Sequence, residues 1–231
     1  MLLQTIKNVT YYEGAVILLL ITGIAAILFA VFMVLDFIKN KKIYHLLWAL
    51  AFIILFVAGV WLVVADDYTL LLEPLVSALA VLLPGGIAAG LYFAVFEEKT
   101  KLYGCIYSIF VIVMVVLVFI AKDAGSEGAS ATVMVAHIPS SLSIILLPIY
   151  TTFKTKDTDW KALLITIGGL VVSLAGVLLA ILASTEFTDL ALLELIFTLL
   201  PWVLLLTALL FAFGMLLTEK WSFAIPGIKK K

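Results

Sequence analysis

Arginine is missing from this chain, cysteine occurs once and histidine twice. All fourteen basic residues are therefore lysine, which removes the bidentate guanidinium clamps that grip phosphate and carboxylate groups. The lone Cys105 excludes an intrachain disulfide and a thiolate metal cluster. Charge is scarce as well: charged residues make up 13% of the chain, against about 25% in soluble domains. The net charge is −1, so no general attraction to nucleic acid follows. The two histidines, His45 and His137, fall at opposite ends of their apolar runs, roughly 20 Å or more apart by helix rise. They cannot be the axial pair of one haem, and no carboxylate cluster joins either of them as a metal site. His137 and Ser141 lack the third partner and the G-x-S-x-G elbow of a serine hydrolase. No catalytic residue, cofactor or metal ligand is expected.

What the chain has is oil. Of its 231 residues, 65% are hydrophobic, and the mean hydropathy is +1.29. A helix needs about 20 apolar residues to cross about 30 Å of hydrocarbon. Seven runs meet that length, at 14–38, 43–65, 74–96, 102–121, 131–153, 162–183 and 190–218. The pattern predicts an all-α polytopic integral membrane protein, a bundle of seven transmembrane helices. It forms a single domain over 1–231, multi-pass in the cell membrane, with lipids as neighbours and no soluble domain. The N-terminus lacks the basic region and cleavage site of a removable signal peptide, so the first span reads as an anchor.

Lysine placement sets the predicted orientation. Lys39, Lys41, Lys42, Lys99, Lys101, Lys154, Lys156, Lys161, Lys220, Lys229, Lys230 and Lys231 fall on one face. The other face has only Lys7 and Lys122, among several acids. The N-terminus is therefore expected outside and the C-terminus in the cytoplasm. Asn8-Val9-Thr10 on the outer side matches a glycosylation sequon. Trp48, Tyr44, Tyr103, Trp160 and Trp221 are expected at the inner headgroup level, with Trp61, Tyr11, Tyr12 and Tyr68 at the outer one.

Polar residues inside the spans are the candidate site. In the fifth run, His137, Ser140, Ser141, Pro148, Thr151 and Thr152 lie within about 60° of one line at 100° per residue. Lipid offers them no hydrogen bonds, so this stripe must face other helices or a wet crevice. His137 lies about one turn inside the outer boundary. In the seventh run, Glu194, Thr198 and Pro201 share a face, and Trp202 stands deeper than an interfacial belt. Glu194 reads either as a site residue or as a solvated helix end, and its depth allows a contact with His137. At the inner side, Asp36 reads as a snorkelling partner of Lys39, and His45 as an interfacial residue. Pro84-Gly85-Gly86, Pro139, Pro148 and Pro201 predict helix kinks. Thr166, Gly169, Ser173, Gly176 and Ala180 form a small-residue stripe for close helix packing.

Seven spans with the N-terminus outside resemble rhodopsins and G-protein-coupled receptors in span count and orientation. Residues 190–217 contain no lysine for a retinal Schiff base, and Glu97-Glu98-Lys99 stands where a receptor motif would be. Topology does not transfer function. The residues themselves favour a non-enzymatic, receptor- or sensor-like protein. It would bind a small hydrophobic or lipidic molecule in an outward-facing crevice among the third, fifth, sixth and seventh helices. The alternatives are a small-solute or ion transporter or channel, or an accessory subunit of a larger membrane complex; a homo-oligomer is compatible with each.

Overall fold

The computed structural model describes residues 13–65, 70, 73–96, 101–154, 160–184 and 190–218. The sequon at Asn8 and the acids and lysines of 97–100 and 219–231 lie outside them. Among the described residues the chain is helical, without strands. Its helices are α1 Glu13–Asn40, α2 Ile43–Ala65, α3 Pro74–Phe96, α4 Leu102–Asp123, α5 Ala129–Lys154, α6 Leu163–Ser184 and α7 Leu190–Leu217. A 3-10 turn, Trp160–Ala162, leads into α6.

Six helices, α1 to α5 and α7, are long and apolar enough to cross a membrane. Their surfaces agree. Ile24, Leu28, Leu35 and Ile38 of α1, and Ile106, Ile109, Ile112, Val116 and Ile120 of α4, are all more than 45% exposed. Water does not tolerate apolar stripes of that length on a monomer, whereas acyl chains do. The chain is a multi-pass membrane protein.

Helix ends follow local chemistry. Lys41 adopts the left-handed conformation at φ 54°, and its N–H donates to the Phe37 carbonyl at 2.8 Å. That closes α1 in a single αL turn, so α2 starts only two residues later. At the far end, Gly125 has φ 60°, Ser126 N–H reaches the Ala121 carbonyl and Gly125 N–H the Lys122 carbonyl. These are the paired bonds of a Schellman motif, with glycine in the position that penalises a Cβ. Pro74 opens α3, where its missing N–H costs nothing.

Consecutive helices pack on one another, and α7 returns to α1 to close the ring. Inside it, α3 packs on α2, α4 and α5, while α4 packs outside on α3 and α5. Small residues set the spacing. A Cβ on Gly86 would stand 3.1 Å from the Leu47 carbonyl of α2, and one on Gly85 2.7 Å from Val111 of α4. On α6, Thr166 donates to the Ile145 carbonyl of α5 at 3.0 Å, and Gly169 lies against Ile144. The expected small-residue stripe thus packs at this end, but among the described residues nothing stands within 4 Å of a Cβ on Gly176. Pro84, Pro139, Pro148 and Pro201 all lie inside continuous helices.

The main core joins Phe29 and Met33 of α1, Trp48 and Phe52 of α2, Ile87 and Leu91 of α3, Ile144 of α5, Ile165 of α6 and Phe211 of α7. Trp48 is a correction to the expected aromatic belt: it is fully buried, and Tyr44 is 4% exposed. Trp61 is 41% exposed and Trp160 66%. Alternation of chain direction gathers Lys39, Lys41, Lys42, Lys101, Lys154 and Lys161 at one end of the bundle. Lys122, Asp123 and Glu127 stand at the other.

Candidate functional site

The polar stripe of α5 meets two tyrosines. Ser140 is fully buried; its hydroxyl donates to the Ala136 carbonyl at 2.9 Å and accepts from the Tyr107 hydroxyl of α4 at 3.0 Å. Ser143 Oγ is shared between the Pro139 carbonyl at 2.7 Å and the Tyr92 hydroxyl of α3 at 3.3 Å. The two phenol rings stack at 4.7 Å. Lower on the helix, Thr152 turns back to the Pro148 carbonyl at 2.8 Å, and Thr151 to that of Leu147. His137 is half-buried, with Nδ1 3.0 Å from the Val133 carbonyl, and Ser141 is half-buried beside it. This cluster holds three helices together through satisfied polar groups. Tyr92 and Tyr107 did not stand out in the sequence. The available signal was a phenol placed mid-span, where its O–H must find a partner.

The seventh-helix candidates are elsewhere. Thr198 is exposed and Trp202 is 55% exposed on the outer surface of α7, so neither joins the Tyr–Ser cluster. The side chain of Glu194 lies outside the described residues, and with it the contact to His137.

A narrow apolar crevice lies between α2, α3, α6 and α7, with a cavity volume of ≈ 20 Å³. Ala51, Phe52, Leu55, Leu83, Ile87, Val172, Leu204, Thr207 and Phe211 line it. Thr207 is 4% exposed, and its hydroxyl has no hydrogen-bond partner among the described residues. The crevice shares α3, α6 and α7 with its expected place. On the α5 side of α3 the space is taken by Tyr92 and Ser143, and α2 supplies the fourth wall.

The feature that sequence reasoning misplaced is at the lysine-rich end. Asp36 Oδ2 lies 3.0 Å from His45 Nδ1, with the side chains 4% and 2% exposed. Asn40 Nδ2 donates to the other carboxylate oxygen, Oδ1, at 2.7 Å. The contact is an ion pair only when the imidazole carries a proton. Tyr44 sets its ring edge against His45 at 4.4 Å, and Trp48 lies 5.9 Å beyond. Asp36 therefore pairs with His45 rather than with Lys39, and both side chains are buried within the bundle. The reason is the two-residue turn: αL at Lys41 folds α2 straight back, so the first turn of α2 meets the last turns of α1. An acid and a histidine nine positions apart across such a turn were the readable signal, since ionisable groups within a span ordinarily find each other.

Among the described residues, no group of three His, Cys, Asp or Glu side chains could hold a metal ion. No family model matches the chain, and no curated protein or solved structure matches it.

Proposed function

We propose that this protein is a receptor- or sensor-like membrane protein of the cell membrane, with seven spans, the N-terminus outside and no chemistry of its own. Its ligand is a small apolar or lipidic molecule held in the crevice between α2, α3, α6 and α7. The observation that carries this reading is the crevice itself: apolar walls around one buried hydroxyl without a hydrogen-bond partner among the described residues. Sites for small molecules share that composition, a greasy lining with few placed polar groups. An unmatched buried hydroxyl costs about 1–3 kcal/mol, which an acceptor on a ligand would return. Ligand-dependent shifts of α3 and α7, whose backbones each lose a hydrogen bond to proline, would carry the signal.

Mass spectrometry of gently purified protein tests the reading. A stoichiometric apolar molecule is expected on the native chain and absent from Val172→Phe, which fills the crevice. A native chain that carries nothing beyond bulk lipid would end it.

The Asp36–His45 pair favours a second reading, a transporter of ions or small solutes, because ionisable groups within spans often mark transport paths. Liposomes that show no flux above empty vesicles would remove it.

A further inference from the structure

We propose that Asp36 and His45 together bind one proton, as a site buried in the bundle at the lysine-rich end of the α1–α2 hairpin. The proposal is independent of the crevice and its ligand. Two ionisable side chains stand 3.0 Å apart, each less than 5% exposed. With the carboxylate ionised and the imidazole neutral, the pair carries one negative charge. A proton that binds the imidazole converts it to an ion pair of zero net charge. No other atom changes hands.

The route in is short. Asn40 is exposed at the end of α1 and bonds Asp36 Oδ1 at 2.7 Å, so the carboxylate is one side chain away from the headgroup layer. Below the pair, Trp48 and Met33 are fully buried and close the site toward the bundle interior. The site therefore opens to one face.

The charged and titratable groups around it are few among the described residues. On α1 there is Lys39, exposed; in the turn, Lys41, whose Nζ lies 5.7 Å from the Phe37 ring centroid, and half-buried Lys42. Tyr44 is the neighbour on α2. At this end α3 contributes apolar Leu91, Phe93 and Ala94, α7 contributes Met215, and just past α7 stands Thr218, whose hydroxyl bonds the Gly214 carbonyl. The surface lysines are screened by salt, whereas the buried pair is not.

A lock between two helices needs no ionisable groups, because an amide and a hydroxyl would hydrogen-bond without the desolvation cost of charge. An acid and a histidine add what a plain lock lacks, a hold on α2 that depends on one proton. Gaining or losing it changes the attraction across the hairpin while the backbone around Lys41 stays closed.

The chain's two histidines make the test direct. In nanodiscs, 15N-imidazole NMR of full-length His137→Gln protein reports His45 alone. A single-proton transition is expected between about pH 5 and 9. In Asp36→Asn it should shift by at least about tenfold in proton concentration, because the charge that shares the proton is gone. Should that variant fail to fold, the 13C carboxyl signal of Asp36 in the unaltered pair is read instead, and it should move at the same pH as the ring. A ring fixed in one state over that range overturns the proposal. So does an unmoved transition in Asp36→Asn, or a carboxyl signal that moves independently of the ring.

Discussion

The indole N–H of Trp48 on α2 donates to the Ile87 carbonyl of α3 at 3.1 Å, across the space that a side chain at position 90 would fill. Trp48 is fully buried, and in a hydrocarbon setting its single donor must find an acceptor within the protein. Gly90 supplies the opening: a Cβ there would fall inside the contact distance of Nε1. One small residue thus lets the largest side chain of the core lie flat on α3.

Gly90→Ala is accordingly expected to cost about 2–4 kcal/mol, combining overpacking with a buried donor pushed off its acceptor. Unfolding in mild detergent would measure it. Trp48→Phe alone loses the hydrogen bond but shrinks the ring, so the double variant should be less impaired than the two single costs summed. Additive costs would mean that the indole does not depend on the gap at Gly90.

Glycines on α6 and α7 should behave in opposite ways. A Cβ on Gly214 would meet Ile165 at 2.6 Å from Cγ1 and 2.9 Å from its backbone nitrogen, and backbone cannot swing aside. Gly214→Ala should therefore destabilise by about 1–3 kcal/mol. Among the described residues, nothing stands within 4 Å of a Cβ on Gly176. Gly176→Ala should be neutral or stabilise by up to about 1 kcal/mol, through helix propensity. Equal effects at the two positions would contradict the packing of α6 on α7.

How far the sequence carries can be judged residue by residue. The run at 43–65 and the helix Ile43–Ala65 coincide because hydrocarbon thickness fixes length and polar residues bound the run. Which side of that helix faces inward was hidden. Leu, Val, Ile and Ala surround it on every side, so periodicity has no contrast, and Trp48 reads like Trp61 although one is core and the other surface. The polar stripe of α5 was legible because Ser140 contrasts with its neighbours, but Ser143, which meets Tyr92, lay off the expected line, and partners on other helices are tertiary facts. Asp36 was misread for a third reason. Its pairing depends on a left-handed lysine at position 41, a backbone choice that composition does not announce.

The Tyr107–Ser140 bond links α4 to α5 and should be measurable as a coupling. Tyr107→Phe and Ser140→Ala are each expected to lower stability, with an interaction energy of about 0.6–1.7 kcal/mol in the double-variant cycle. Tyr103→Phe, at a ring 50% exposed to the bundle's surroundings, serves as the control and should change little. No coupling between 107 and 140 would mean that their hydroxyls are satisfied independently.

Orientation rests on where the described lysines gather, and chemical labelling reads it directly. Lys41 lies in the α1–α2 turn and Ser126 in the α4–α5 turn; both are exposed and stand at opposite ends of the bundle. In a Cys105→Ser background, a cysteine at 126 should react with a membrane-impermeant maleimide on intact cells. A cysteine at 41 should react only after the membrane is opened, because translocating a lysine-rich turn runs against the insertion bias. The reverse pattern would place the lysine-rich end outside, and the Asp36–His45 site would then draw its proton from the exterior. Labelling of both positions from outside would instead break the alternation of helix direction on which the bundle is built.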